Sequence, residues 1–169
     1  MAVNQVSLSF YPPRWQERLT AHPRSLTDQG TPVQIADAVP VEGAIPAPVL
    51  CDDFREWITQ QGFTAVEWGR GTEFHRGQVR SIFGTEQEID LSFSDEGGEL
   101  TSVYCRFTLS RETPLALPRW ATFVSAMCKK FGLRLPADGM TPCGEEEFLA
   151  AVRGHRFWRE FAKSLGWDA

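Results

Sequence analysis

The sequences EIDLSF, at residues 88–93, and SVYCRFTL, at residues 102–109, decide the fold of this chain. In both stretches apolar and polar residues alternate with a period of two, the pattern of a strand that is buried on one side. Residues 95–99, DEGGE, separate them and have the glycines and acids of a hairpin loop. The sequence therefore predicts an antiparallel hairpin in the middle of the chain.

A register for this hairpin follows if residues 95–99 form a five-residue loop, and it keeps the apolar side chains on one face. A third strand, ending near residue 83, would extend the same pattern across the sheet. The predicted pairs are Val79 with Leu91 and Leu91 with Val103 on the core face, and Arg80 with Asp90, Asp90 with Tyr104 and Glu88 with Arg106 on the other face.

Patterns on either side of the hairpin place the other elements. Residues 119–131 carry apolar side chains at the spacing of one helix face and are followed by Gly132, which predicts a long amphipathic helix. Residues 25–48 contain four spaced prolines, so we expect an ordered surface crossing that permits one edge strand. We also predict strands at residues 5–11 and 64–68, an aspartate-capped helix at residues 53–61, at most a short helix near Trp15, and one kinked or two short helices from residue 145 to 165.

Together these elements predict an α+β fold. It consists of an antiparallel β-meander of about four to six strands, covered on one face by C-terminal amphipathic helices. A chain of 169 residues can bury a sizeable core without disulfides or metals. We expect a single domain over residues 1–169, in which residues 1–50 form an N-terminal strand and a proline-rich crossing, and residues 51–169 form a helix, the meander and the C-terminal helices.

The cysteines and the N-terminal segment favour a cytoplasmic protein. The four cysteines contain no C-x-x-C pair. Cys105 alternates with apolar residues and Cys128 lies on the apolar face of the predicted helix, so both are expected to be small buried side chains. Residues 1–10 lack the basic and continuous apolar regions of a secretion signal. No segment approaches the roughly 20 apolar residues of a membrane span, so we expect no membrane partner.

Charge gives the best sequence indication of function. The net charge of −5 argues against a general nucleic-acid binder, which needs a basic surface, and favours a basic protein partner. Residues 86–99 contain six acids and no lysine or arginine. The alternative is an ordinary solvated sheet face, neutralised by Arg80 and Arg106. The predicted partner-binding residues are Glu86, Glu88, Asp90, Asp95, Glu96, Glu99 and Tyr104.

Signatures of catalysis, cofactor binding and metal binding are missing. The sequence contains no phosphate-binding glycine loop, dinucleotide-binding motif, zinc-peptidase motif or nucleophile elbow, and no metal-ligand spacing links Cys51, Cys143 and His75. We therefore predict no cofactor, no metal and no catalytic residue. One alternative is a hydrolytic or nuclease site in which His75 acts as a base; the simpler interpretation is an exposed histidine at a strand end. The residues of that alternative site are His75, Glu73 or Glu67, and Arg70 or Arg76.

In size, acidity, aromatic content and α+β pattern, the chain resembles the small immunity proteins that bacteria pair with secreted toxins. The resemblance extends loosely over the whole chain and includes the missing catalytic signatures. It implies a cytoplasmic inhibitor that binds one toxin or effector domain tightly and blocks it, rather than an enzyme. A secretion adaptor or chaperone is a further alternative. The aromatic anchor candidates are Trp15, Trp68, Tyr104, Trp158 and Trp167.

Overall fold

The computed structural model of the chain describes residues 5–43, 46–68, 71–76, 88–136 and 141–167. Within these ranges the chain forms the strands and helices of an α+β protein, as the sequence predicts. In chain order the elements are β1 (Gln5–Phe10), β2 (Trp15–Leu26), β3 (Pro32–Pro40), α1 (Cys51–Gln60), β4 (Thr64–Trp68), β5 (Gly71–Arg76), β6 (Ile89–Glu96), β7 (Glu99–Thr108), α2 (Thr113–Phe131), α3 (Glu145–Gly154) and α4 (Arg156–Leu165).

The main sheet has five antiparallel strands in the order β1-β7-β6-β5-β4. Strands β4 to β7 form the predicted meander, and β1 joins it along the free side of β7. Helices cover one face, as three aromatic contacts show. Phe54 of α1 lies 5.2 Å from Phe93 between ring centroids, and Phe107 of β7 lies 5.2 Å from both Trp120 of α2 and Phe148 of α3. The prediction of a meander covered by C-terminal helices is confirmed.

The register of the β6–β7 hairpin differs from the predicted one. A two-residue turn at Gly97 and Gly98, with φ of 59° and 86°, replaces the five-residue loop, because two glycines adopt positive φ without strain. A bulge between Ser94 and Asp95 adjusts the pairing. Relative to the prediction, the pairing of β6 with β7 is displaced by two residues. Because this number is even, the same side chains still face the core. The observed partners are Leu91 with Cys105, Asp90 with Arg106 and Ser92 with Tyr104.

The strand that pairs with β6 was also predicted at the wrong place. Phe74 and His75 of β5 lie opposite Leu91 and Asp90, where the sequence prediction put Val79 and Arg80. The short strand was missed because its six residues directly follow a glycine-rich break and contain few apolar side chains. Val79 and Arg80 lie outside the described residues.

The N-terminal region contains a β-ribbon instead of a short helix and a crossing. Strands β2 and β3 pair antiparallel, from Trp15 opposite Pro40 to Ala21 opposite Gln34, and form a separate two-stranded sheet. The prediction of a helix near Trp15 is wrong, while the edge strand that the prolines permit is present. The prolines of β3 stand at its two ends, where they do not interrupt the pairing.

The helices keep their predicted positions but begin differently. Helix α1 starts at Cys51 after Leu50, and no side chain caps it, so the predicted aspartate cap is wrong. Helix α2 begins at Thr113 and contains Pro118, whose missing N–H removes only one hydrogen bond in the second turn. The final stretch forms two helices, separated at His155, whose Nδ1 accepts the Phe157 N–H at 3.2 Å.

Candidate functional site

A cluster of four polar side chains lies on the sheet face opposite the helices. His75 Nδ1 is 2.7 Å from Asp90 Oδ1, and these side chains are only 3% and 5% exposed. Arg106 Nη2 donates to Glu73 Oε2 at 3.1 Å and lies 3.3 Å from Asp90 Oδ2. Glu73 Oε2 is also 3.9 Å from His75 Nε2. Glu73 therefore lies beside His75, at a separation too long for a hydrogen bond, and Asp90 and Arg106 complete the group.

The cluster follows directly from the strand register. His75 lies opposite Asp90, and Asp90 lies opposite Arg106, so the three side chains form one row across β5, β6 and β7. A carboxylate that holds one imidazole nitrogen is the arrangement of a general base. A base must also reach its substrate, and this imidazole is buried in the sheet. Its main effect in the observed geometry is to hold three strands in register, and the prediction of an exposed histidine is wrong.

The other residues of the hydrolytic hypothesis do not join this cluster. Arg76 lies opposite Ile89 on the helix-covered face, with its guanidinium carbon 5.8 Å from the centre of the Phe123 ring. Arg70 and the side chain of Glu67 lie outside the described part of the chain. The sequence missed the contact between His75 and Asp90 because the predicted register gave Asp90 to Arg80. Only the correct pairing of β5 with β6 reveals it.

Three of the predicted partner-binding acids are engaged within the protein. Glu88 accepts hydrogen bonds from Arg119 at 2.7 Å and from the Trp120 indole at 2.8 Å. Partial burial of Glu88 raises its pKa, but these two donors outweigh it and hold the pKa below its usual value. Glu99 accepts from the Trp15 indole at 3.0 Å and pairs with Arg14 at 2.8 Å, and Asp90 belongs to the cluster above.

The remaining predicted residues lie near the β6–β7 turn or at the sheet surface. Asp95 and Glu96 are exposed, and Asp95 accepts the Gly98 N–H at 3.3 Å. Tyr104 is 40% exposed on the face opposite the helices. Glu86 lies outside the described residues. The structure thus separates the predicted group: two acids and one tyrosine face solvent, while three acids stabilise contacts within the fold.

The aromatic anchor candidates are distributed in a similar way. Trp15 and Trp158 are 6% and 5% exposed and belong to the interior. Trp167 is half-buried against the Trp158 and Phe161 rings, and the Trp68 side chain lies outside the described part. Tyr104 is therefore the one candidate among the described side chains that is substantially exposed.

The β2–β3 ribbon is a surface that the sequence did not predict. Nearly all described residues from 16 to 37 are exposed or half-buried, so neither face of the ribbon is covered. Leu19, Leu26 and Ile35 are 58%, 66% and 42% exposed. Isolated two-stranded ribbons are marginally stable in water, and large apolar side chains in water are unfavourable. Apolar and polar residues do not alternate regularly along these two strands, so their sequence does not predict which face is buried.

The described residues also form a shallow groove beside helix α1. It has a volume of about 540 Å³ and lies between residues 47–50, helix α1 and the C-terminal end of α2. Trp57 and Phe131 supply apolar surface, whereas Asp53 and Glu56 make part of its rim acidic. No polar side chain is held there in a geometry that indicates a ligand.

The four cysteines are buried and free. Burial raises the pKa of the Cys105 thiol, and a hydrogen bond with Cys143 together with burial raises that of Cys128. Thiols with raised pKa values are poor nucleophiles, because the thiolate is the reactive form. The prediction that Cys105 and Cys128 are small buried side chains is confirmed.

The described residues contain no group of three or more histidine, cysteine, aspartate or glutamate side chains that could hold a metal ion. They also contain no helix long and apolar enough to cross a membrane. No protein-family model, curated protein or solved structure matches the chain.

Proposed function

We propose that this protein acts by binding another protein, and that it neutralises a toxin or effector domain in the cytoplasm as an immunity protein does. The uncovered β2–β3 ribbon carries the proposal. It presents Leu19, Leu26 and Ile35 to solvent on an element that the described part of the chain does not cover. Leu19 and Ile35 lie on opposite faces of the ribbon, so each face presents a large apolar side chain that a partner could cover.

The partner is expected to be basic. The chain carries a net charge of −5, and Asp95 and Glu96 remain exposed at the β6–β7 turn. Such acids attract a positively charged protein over long range and accelerate its association, with an effect that salt weakens. Tyr104 adds an exposed aromatic side chain on the same hairpin.

The test is capture of a partner in the organism that encodes the protein, followed by expression of that partner with and without this chain. We expect the partner alone to arrest growth, and co-expression to restore it. Glu96→Lys should slow association and reduce its salt dependence, whereas Glu112→Lys, the same charge change at another exposed position, should leave both unchanged. Capture of no protein would contradict the proposal. A partner whose toxicity persists would favour the adaptor function instead.

A hydrolase or nuclease is the second candidate, and the 2.7 Å contact between His75 and Asp90 is the observation that favours it. In this function Asp90 would orient the imidazole, and Arg106 would supply positive charge beside it. Burial of His75 argues against it, since a substrate would need part of the sheet surface to move.

Activity of the purified protein on ester, peptide and nucleic-acid substrates distinguishes the two candidates. If the protein is an enzyme, the His75→Ala substitution should lower its turnover rate at least a hundredfold. The Arg106→Lys substitution should keep the positive charge but lose the contact of Arg106 with the two acids. If the protein only binds, no turnover is found. In that case His75→Ala lowers stability without changing the affinity for the partner.

A further inference from the structure

We propose that the partner docks along the outer edge of β3, by adding an extended basic strand to the β2–β3 ribbon. This inference rests on the proposed function, because it names the surface and the partner chemistry of a protein-binding module. Strand addition joins two proteins through main-chain hydrogen bonds, while alternate side chains give specificity. It requires an edge with outward-facing backbone groups, and no strand among the described residues pairs with the outer edge of β3.

One hydrogen bond at the base of the ribbon identifies those groups. The Val41 N–H donates to the Arg14 carbonyl at 2.8 Å, so this pair belongs to the hydrogen-bonded set of the antiparallel ladder. Such pairs alternate with pairs whose backbone groups face away. Odd-numbered residues of β3 therefore bond to β2, and even-numbered residues point outward. The outward N–H groups are those of Gln34, Ala36 and Ala38.

The prolines of β3 agree with this assignment. Pro32 and Pro40 are even-numbered, so each lacks an N–H at a position where that group would face away from β2. Proline is tolerated in strands at such positions because no ladder hydrogen bond is lost. The prolines also close the edge at its two ends. The open part therefore extends from Val33 to Val39 and offers three donors at regular spacing.

The opposite edge of the ribbon is unsuited to the same role. Strand β2 has an irregularity between Ala21 and Leu26, and Pro23 lies inside it. Bulges and prolines are common ways in which proteins prevent strand addition at an edge. Between Val33 and Val39, by contrast, β3 contains no proline, lysine or arginine. The ribbon thus has one blocked edge and one open edge.

Charge around β3 selects a basic strand. From residue 25 to residue 54 the sequence contains five acids and no lysine, arginine or histidine. Asp37 projects from β3 itself, and its contact with Arg18 is long, at 3.8 Å, between two exposed side chains. A strand that carries lysine or arginine would place an opposite charge beside Asp37, the acid of β3 itself. A second copy would bring its own Asp37 to the same interface, which is unfavourable.

A peptide as long as β3, nine residues of alternating valine and lysine with blocked ends, tests the proposal on the full-length protein. Amide exchange measured by NMR should slow at least tenfold at Gln34, Ala36 and Ala38. The inward-facing Ile35 and Asp37, already bonded to β2, should change little. Ala36→Pro removes the central outward N–H without touching the β2–β3 ladder and should weaken peptide binding at least tenfold. Ala21→Pro makes the same change on the β2 edge and is the matched control.

Several results would overturn the proposal. These are an absence of slowing at the three amides, equal binding by the Ala36→Pro variant, and equal binding of a valine–glutamate peptide. A concentration-dependent dimer in sedimentation, lost in Ala36→Pro, would assign the edge to a second copy of the chain instead. None of these results affects whether co-expression of this chain restores growth in the presence of the captured partner, so failure of the edge assignment is distinguishable from failure of the proposed function.

Discussion

The five-stranded sheet and the β2–β3 ribbon are both antiparallel, but the sheet buries its apolar side chains whereas the ribbon leaves them exposed. In the sheet, Phe107 is fully buried between the rings of Trp120 and Phe148. In the ribbon, Leu19 and Ile35 are 58% and 42% exposed. The sheet is stabilised by the layer of helices that covers it, whereas the ribbon has strand pairing without a covering layer.

This difference separates residues that maintain the fold from residues available to a partner. Two strands without a packed face gain little hydrophobic stabilisation, so the ribbon depends on its attachment to the sheet. That attachment consists of the buried Trp15 and of polar contacts: Arg134 donates to the carbonyls of Pro12 and Trp15, and Glu99 accepts from the Trp15 indole. The following predictions test how far the two regions are independent.

The largest effect is expected in the helix-covered core. Phe107→Ala should lower the free energy of unfolding by about 3–5 kcal/mol, because it removes a fully buried ring and leaves a cavity. Urea denaturation followed by tryptophan fluorescence measures the loss. Leu19→Ala, which removes an exposed side chain from the ribbon, is the control and should change stability by less than about 0.5 kcal/mol. A comparable loss for both variants would mean that the ribbon is packed in solution.

The same contrast explains which parts of the fold the sequence predicted. Helix α2 and strands β6 and β7 were predicted because one packed face imposes a regular period on each of them. The ribbon lacks a packed face, and Pro32 and Pro40 suggested interruption although both stand at outward-facing edge positions. Local pattern is informative only where burial on one side constrains it.

Long-range pairing accounts for what the sequence missed in the polar cluster. His75 and Asp90 are 15 residues apart, and their contact depends on the register between β5 and β6. Glycine-rich segments such as residues 95–99 are compatible with several turns, and the choice of turn shifts the register by two residues. A shift by two residues leaves each side chain on the same face of the sheet, but it gives the side chain a different partner on the neighbouring strand.

A smaller loss is expected at the junction of the two regions. Arg134 is 6% exposed and donates to the carbonyls of Tyr11, Pro12 and Trp15 at 2.7–3.1 Å. Arg134→Met should destabilise the protein by about 2–4 kcal/mol, because buried carbonyls lose a charged donor. It should also accelerate amide exchange at Ile35 by loosening the base of the ribbon.

Arg134→Lys is the matched variant for this junction, since it keeps the charge but offers one donor atom in place of a planar fork. We expect an intermediate loss of stability and intermediate exchange at Ile35. If Arg134→Met destabilised the protein while exchange in the ribbon stayed unchanged, the ribbon would be anchored by other contacts, such as that of Trp15 with Glu99.

A further loss of stability is expected to depend on pH. It tests the contact by which Glu88, next to β6, holds helix α2. The pKa of Glu88 is below its usual value in the folded protein, so its contribution is present above the unfolded-state pKa and is lost as the pH falls through the folded one. Glu88→Gln should cost about 1 kcal/mol at pH 7. It should also flatten the decrease in stability between roughly pH 5 and pH 3, measured by denaturation at each pH. Glu42→Gln, at an exposed position away from the helix ends, should leave both quantities unchanged.

The smallest effect on stability should accompany a loss of binding. Replacing the exposed ribbon side chains, as in Leu19→Ser or Ile35→Thr, should change the free energy of unfolding by less than about 0.5 kcal/mol, because little apolar surface is buried there. In the complex these side chains lose contact with water, so affinity for the captured partner should fall several-fold. Leu115→Ser, at the most exposed large apolar position outside the ribbon, is the control and should leave affinity unchanged. If the ribbon variants bound normally while Tyr104→Ala did not, the interface would lie on the main sheet, and the absence of a covering layer on the ribbon would need another cause.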